Sequence, residues 1–463
     1  MKIGMIGLGK LGLPSILAIE SRGYDVYGYD VNPEIKKYVE NRKIPYREEG
    51  AEELLQKTNL MVLPMREVLE KTDICFVAVQ TPHDPMYEGI TPLPISRVDF
   101  NYSILIQCIN RIIYVIQELN EETDKRKKER KHFVISIIST VLPGTMYREI
   151  IPLIPAGLDN LHIVYNPFFI AMGTTIKDFL YPEFVLFGVD DLYPATIVEE
   201  FYNSALPSIP DREPEVPKVF RCSIDTAEAI KVLYNTYITQ KICFANAAME
   251  LCEKTGADVD DLINCLQLGT RRITSGSYMR AGMGDGGGCH PRDNIALSFI
   301  AKKLDISYDW WENLMICREK QTQWFAEIIE REYYVAKCEL DIMILGYSFK
   351  PETSLTIGSP ALLLKHFLDN CGILDEQIKM FDPFIDDTTI YGMKGSILKS
   401  KDLGTRDMIQ FITEPHIFFI GTKHDAFSRF IFPVGSIVID PFRYILDQDG
   451  VTIKRIGEGK NKF

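Results

Sequence analysis

The chain has 463 residues, 46% of them hydrophobic and 25% charged, which is enough apolar content for two or three domains with buried cores. A formal net charge of −13 and a pI near 5.2 exclude a non-specific nucleic-acid binder but allow a locally positive site for an anionic ligand. None of the ten cysteines forms a CxxC pair and no apolar run approaches membrane-spanning length, so the expectation is a cytoplasmic protein with free thiols, no metal and no membrane partner.

The chain opens with "MKIGMIGLG", which reads as a strand entering a glycine turn rather than as a signal peptide. Residues 2–6 form the strand, "GLGKLG" follows at 7–12, then a helical run "LPSILAIESRG" and the strand "YDVYGYD" ending at Asp30. This is a βαβ opening with dinucleotide spacing. Gly7 permits the turn, Gly9 lets a pyrophosphate approach, and Gly12 packs helix against strand. Asp30 would accept hydrogen bonds from the adenosine ribose, and it would repel the extra phosphate of NADP, so the cofactor expected is NAD.

Further strands end in turns suited to ligands. "DICFVAVQTP" leads into a loop with several prolines from Pro82 to Pro94, "HFVISIIST" into "VLPGT", and "LHIVYNP" into "FFIAMGT". Strands alternating with helices imply a parallel sheet whose ligands gather at its carboxyl edge, where Thr81, Thr140 and Asn166 lie. The basic stretch at 121–132 reads as an exposed helix end or loop, and the proline-rich "PSIPDREPEVPK" at 207–218 as a linker. "DTAE" at 225–228 reads as a capping box opening a helix that runs to Gly256. That length suits a helix bridging two domains and offering a face to a second subunit. Within it, Lys231 and Asn235 are four apart and share a face, where the lysine could hold negative charge developing on oxygen.

The stretch "AGMGDGGGCHPRDN" at 281–294 surrounds Cys289 with glycines and places Asp293 four residues later. A cysteine just before a helix feels the positive end of the dipole, which favours the thiolate and makes Cys289 a candidate nucleophile. From near Leu340 a second αβ pattern begins with "DIMILGYSF", continues through "IKMFDP" and "HIFFIGT", and closes with "GSIVIDPF". Its first turn lacks a GxGxxG. The fold class is therefore α/β, with two Rossmann-like doubly wound domains joined by a central helical domain containing a long helix.

In the order and spacing of these motifs the chain resembles the UDP-glucose/GDP-mannose dehydrogenase family of nucleotide-sugar 6-dehydrogenases. "GMGDGGGCHPRDNIAL" is similar to its cysteine motif, "STVLPGT" to its strand-end turn, "TAEAIKVLYNTY" to its central helix, and "LGYSFKPET", "SPA" and "MFDP" to its C-terminal domain. The resemblance implies an NAD-binding domain over 1–214, a central dimerisation domain over 215–330 and a nucleotide-sugar domain over 331–463. It also implies oxidation of the C6 alcohol of a nucleotide-diphosphate hexose to a uronic acid, consuming two NAD, in a homodimer or higher oligomer. By the same resemblance Cys289, Lys231, Asn235, Asp293 and Thr140 are catalytic. Gly7, Gly9, Gly12, Asp30, Thr81 and Thr140 bind the cofactor, and Asn235, Arg272, Gly286, Lys350 and Arg443 bind substrate. His424, in "GTKHDAF", resembles a position often occupied in the family.

The chain departs from the family pattern in "NPFFIAMG", where Phe168 and Met172 stand in place of glutamates, and in "TSLTI" at 353–357, which lacks two acids and an arginine. Asp285 stands where an aromatic is usual and Arg292 where lysine is. The lost glutamate serves proton transfer and water activation, so Phe168 would exclude water, and Asp285 is a candidate replacement base. Two further outcomes follow from these departures: an oxidation that stops at the aldehyde or passes the thioester to another acceptor, and a nucleotide-sugar binding protein without catalysis.

Overall fold

A computed structural model describes residues 1–46, 48–82, 98–171, 173–206, 217–278, 280–287, 290–385, 396–397 and 412–458. Met172 and Cys289, most of the proline loop at 83–97 and the linker residues 207–216 lie outside the described residues. The chain divides into two compact units, Met1–Thr239 and Gln240–Glu458, and the division falls inside one uninterrupted helix.

The first unit is built on an eight-stranded sheet. Its strands are β1 (Lys2–Ile6), β2 (Asp25–Tyr29), β3 (Met61–Val62), β4 (Ile74–Val77), β5 (Phe133–Ile137), β6 (Leu161–Tyr165), β7 (Phe184–Gly188) and β8 (Lys218–Cys222). They lie in the order β3-β2-β1-β4-β5-β6-β7-β8. The first six are parallel in the doubly wound dinucleotide order, with Ile3 opposite both Val26 and Ile74. β7 turns antiparallel to β6, and β8 runs parallel to β7. The strands are apolar on both faces because both are covered. Ile3, Met5, Ile74 and Phe76 point into one buried cluster, and Ile6, Cys75, Val77 and Ile135 into another.

The covering helices of this unit are α1 (Gly12–Glu20), α2 (Pro33–Glu40), α3 (Ala51–Lys57), α4 (Met65–Lys71), α5 (Ser103–Lys125), α6 (Thr175–Leu180) and α7 (Leu192–Ala205). Local chemistry sets their ends. Asn32 accepts from the Glu34 N–H at 3.0 Å with proline in the first turn of α2, and Asp191 accepts from Tyr193 N–H at 3.1 Å to start α7. The basic stretch after α5 is partly exposed as expected, with Arg130 paired to Asp124. Lys131, however, turns inward and donates to the carbonyls of Leu69, Glu70 and Thr72 at the end of α4.

The long helix is α8 (Ile224–Thr255). Its start differs from the expected capping box: Ser223 lies within 3.4 Å of the Thr226 N–H, while the Glu228 carboxylate leaves the helix for a strand-end turn. Then come α9 (Val259–Gln267), α10 (His290–Lys303), α11 (Trp310–Val335) and α12 (Pro360–Asn370). The second unit's sheet has six strands: β9 (Ile342–Leu345), β10 (Ile378–Phe381), β11 (Ser396–Ile397), β12 (Ile417–Ile420), β13 (Ile437–Asp440) and β14 (Thr452–Arg455). Their order, β11-β10-β9-β12-β13-β14, repeats the doubly wound order of the first sheet. Ile342 and Ile344 pack under Phe325 and Ile329 of α11 and Leu364 and Leu368 of α12, while Met343 and Leu345 meet a phenylalanine-rich cluster on the other face. Among the described residues no helix is long and apolar enough to cross a membrane.

Candidate active site

The glycine turn between β1 and α1 has the geometry its spacing predicts. Gly7 lies at φ +91°, and a Cβ there would stand 2.7 Å from the Ala78 carbonyl oxygen. A Cβ on Gly12 would stand 1.9 Å from the Gly7 oxygen, so α1 can begin this close to β1 only without a side chain. At Gly9 a Cβ would meet nothing within 4 Å, which leaves the turn open on the side where a pyrophosphate would approach. Asp30 follows β2, and its carboxylate accepts from Leu8 N–H at 2.6 Å and Asn32 N–H at 2.8 Å. A carboxylate has about four acceptor positions, so capacity remains for ribose hydroxyls. The residues present therefore fit NAD.

The turns after β4 and β5 are laced together at the same edge of the sheet. Thr81 Oγ1 donates to the Thr140 carbonyl at 2.7 Å, and Ser139 Oγ to the Val79 carbonyl at 2.6 Å. Glu228, fully buried on α8, closes the turn from below: it accepts from Gly144 N–H at 2.6 Å and Met146 N–H at 2.7 Å. Burial pushes its carboxyl above the usual range, and the two backbone N–H groups pull it partly back. One helical turn later, Lys231 Nζ donates to the Phe168 carbonyl at 2.6 Å and sits 5.0 Å from the centre of the Phe169 ring. Burial lowers this lysine's pKa. Asn235, on the same face, is exposed.

Phe168 does not wall off the site as its sequence position suggests. Its ring turns into the core, 6.1 Å from the Phe76 centroid and 5.5 Å from that of Phe179, and only its carbonyl faces Lys231. Asn166 is likewise structural. It donates to the Leu186 carbonyl at 2.7 Å and accepts from Tyr202 at 2.5 Å. Behind this turn, among Phe168, Phe169, Phe179 and Tyr202, a cavity of about 30 Å³ remains, enough to hold a water.

In the second unit the glycine motif is fitted against the turn after β9. A Cβ on Gly286 would stand 2.8 Å from the Gly358 oxygen and 3.0 Å from Phe349 Cβ. Gly287, at φ +86°, donates its N–H to the Ile357 carbonyl at 3.0 Å, and a Cβ there would strike the Phe349 ring at 2.9 Å. The glycines thus permit two loops to interlock. Arg318 of α11, which the sequence reading missed, pins the joint. It pairs with the Asp285 carboxylate at 2.9 Å and donates to the carbonyls of Asp285 at 3.1 Å and Gly358 at 2.9 Å. Asp285 also lies 3.5 Å from His290, so it is an ion-pair partner here and not a free replacement base. Asp293 stands exposed in the first turn of α10.

Lys350 is exposed and its ammonium lies 5.4 Å from the centre of the Phe349 ring. Arg443 is more committed than its sequence position suggests, since its guanidinium donates to the carbonyls of Pro441, Ile456 and Ala281. Its loop is gathered by Asp440, fully buried at the end of β13, whose carboxylate accepts the N–H groups of Phe442, Arg443, Tyr444 and Ile445 at 2.7–2.9 Å. Arg272 lines an open basin of about 570 Å³ with Arg271, Arg280, Ser277 and Tyr278, a concentration of positive charge on an acidic chain.

Two family models match: the NAD binding domain of the UDP-glucose/GDP-mannose dehydrogenase family over residues 1–206 and its central domain over residues 225–318. A GDP-mannose 6-dehydrogenase of Pseudomonas savastanoi is 27% identical over 458 residues, 95% of each protein. A UDP-glucose 6-dehydrogenase of Bacillus subtilis is 27% identical over 389 residues, 82% of this chain and 76% of that one. The crystal structure of a ternary complex of GDP-mannose dehydrogenase from Pseudomonas aeruginosa has the same fold, with a TM-score of 0.78 at 22% identity over 98% of this chain and 99% of that one.

Proposed function

The chain belongs to the UDP-glucose/GDP-mannose dehydrogenase family and is an NAD-dependent nucleotide-sugar dehydrogenase, and from that premise we propose that it oxidises the C6 alcohol of a nucleotide-diphosphate hexose to the uronic acid. The observation that carries the proposal is the carboxyl edge of the first sheet. There a turn shaped for a dinucleotide follows β1, and the half-buried ammonium of Lys231, carried on α8, reaches the Phe168 carbonyl just after β6 of the same sheet.

Gly7, Gly9, Gly12 and Asp30 would hold NAD, with Thr81 and Thr140 beside it. Bound NAD supplies the hydride acceptor. Lys231 holds a positive charge where negative charge develops on the substrate's oxygen, and half-burial strengthens that attraction. By the family resemblance Asn235, one turn beyond Lys231 on α8, shares this role, and Asp293 is the acid of the cysteine motif. Cys289 adds its sulfur to the aldehyde carbon, giving a thiohemiacetal whose oxidation leaves a thioester. Water then cleaves the C–S bond and returns the thiol. Thr140 can position that water but is a poor base at neutral pH.

Lys350, Gly286 and the arginine basin with Arg272 offer the positive charge and bare backbone that a sugar diphosphate requires. Arg443 contributes by fixing the backbone at Ala281. The division into 1–214, 215–330 and 331–463 belongs to the same reading; the second sheet begins at β9, within the third segment, while the first sheet runs on through β8 (Lys218–Cys222), past residue 214. A dimer through α8 is supported by its exposed Leu233, Ile238, Ile242 and Met249.

The test is the electron count. With GDP-mannose and UDP-glucose as separate substrates, we expect one of them to yield two NADH and a free carboxylate per sugar. One NADH with released aldehyde overturns the four-electron reaction. A stable adduct on Cys289 after two oxidations, seen by intact-protein mass, assigns the block to hydrolysis.

A further inference from the structure

Beneath the turn after β9 lies a buried polar group that the proposed reaction does not use. Ser348, Asp382 and His424 follow β9, β10 and β12, and their side chains are almost fully buried. His424 Nε2 lies 3.1 Å from Asp382 Oδ2 and 3.1 Å from Ser348 Oγ. The Phe384 ring stacks on the imidazole at 5.1 Å and 24°, and Phe427 meets it edge-on at 5.5 Å.

Serine, histidine and aspartate together suggest a hydrolytic triad, but this is not one. In a triad one ring nitrogen takes the proton of the serine while the other keeps its N–H on the aspartate. Here both partners meet the same nitrogen. The bond directions instead define a brace. Asp382 accepts the N–H groups of Tyr347 and Ser348 at 2.9 and 2.8 Å, so it acts as an ionised acceptor and Nε2 must carry the proton. The other ring nitrogen, Nδ1, then accepts the Glu352 N–H at 3.4 Å. Ser348 Oγ sends its own proton to the Lys350 carbonyl at 3.0 Å, and Thr422 Oγ1 donates to the Ser348 carbonyl at 2.6 Å.

All of these bonds except the one between His424 and Asp382 end on the turn 347–352. That turn needs holding, because Glu352 lies at φ +59°, a conformation a glutamate adopts only under constraint. The turn carries Lys350 on its outside, and its Phe349 is the surface on which Gly286 and Gly287 are seated.

We propose that His424 is a positioning residue for nucleotide-sugar binding: it fixes the 347–352 turn so that Lys350 and the Gly286–Gly287 backbone form one wall of the sugar-diphosphate site. This rests on the reading that Lys350 binds substrate.

The experiment compares the KM for whichever of GDP-mannose and UDP-glucose is turned over with the KM for NAD. His424→Phe keeps the ring between Phe384 and Phe427 but removes both nitrogens. His424→Gln keeps an amide donor within reach of Asp382. Ser348→Ala removes the bond to Lys350 without touching the aromatic box. We expect His424→Phe to raise the sugar KM about tenfold. The NAD KM and the kcat at saturating sugar should stay within about twofold, with His424→Gln falling between the two proteins. Ser348→Ala should move the same constant by a smaller factor, and it decides the matter if neither histidine variant folds. An unchanged sugar KM in folded variants, or equal losses in both KM values, overturns the inference. Lys350→Ala is run beside them. If it raises the sugar KM and the His424 and Ser348 variants do not, the brace is wrong and the subsite stands. If it changes nothing, the subsite assignment fails, and the histidine arms still report whether the turn borders the sugar.

Discussion

Asp440→Asn replaces one oxygen by an NH2 group of nearly the same size, and the structure leaves that group nowhere to go. The carboxylate takes two N–H groups on each oxygen, Phe442 and Arg443 on Oδ1, Tyr444 and Ile445 on Oδ2, with no solvent access. An asparagine can serve only one of these pairs. Either flip of the amide sets its NH2 against the other pair and leaves two buried donors unsatisfied. At about 1–3 kcal/mol for each, the loss is about 2–6 kcal/mol. For a unit of this size 1 kcal/mol moves the melting temperature by roughly 2–4 °C, so the variant should melt at least about 4 °C lower. Thermal unfolding followed by near-UV circular dichroism reads the change. The loop also carries Arg443, which reaches Ala281 just before the glycine motif, so the sugar KM should rise in the folded variant. An Asp440→Asn protein melting within about 1 °C of the parent would refute the reasoning, because no single amide orientation satisfies four donors.

Two further outcomes follow. Burial lowers the Lys231 pKa, so its ammonium is present below that lowered value and is lost as pH rises through it. The folded state sheds this proton more readily than the unfolded chain, so burying the charge costs stability at low pH, and the cost fades as pH rises from the folded toward the unfolded pKa of about 10.4. The alkaline limb of kcat should therefore fall below the usual lysine range, and Lys231→Arg, whose guanidinium stays charged, should abolish it in any active variant; a limb that stays in place would remove Lys231 from the chemistry. The exposed apolar residues of α8 lead us to expect a dimer or larger multiple in sedimentation equilibrium, and a monomer at micromolar concentration would refute that pairing.

What the sequence made legible was local. The glycine spacing of 7–12, the acid at 30 and the span of α8 are encoded within a few turns of chain, and the structure reproduces them within one or two residues. What it hid were partners distant in sequence. Glu228 looked like half of a capping box because a helix start with an acid three residues on is a local pattern. Its actual donors are 82 and 84 residues away. Arg318 carried no motif, and nothing in "ICREK" indicates that its guanidinium will reach Asp285 and Gly358. His424 was noticed without a chemistry, since its meaning depends on three strand ends that only the sheet brings together. Phe168 was read by position as a wall of the site, whereas the core beside α6 had room for its ring. Cys289 lies outside the described residues, so its role rests on the glycine motif and the start of α10.

The placement of the unit boundary inside α8 bears on how the chain is made. Among the described residues, all eight strands of the first sheet are translated by Cys222, and none comes from the later half. A nascent chain can therefore complete its dinucleotide-binding sheet while the second half is still unsynthesised. Glu228 and Lys231, the residues that tie α8 to that sheet, leave the ribosome next, before any of the glycine motif exists. Order of synthesis thus lets the first unit fold and dock the start of its long helix before the second sheet exists.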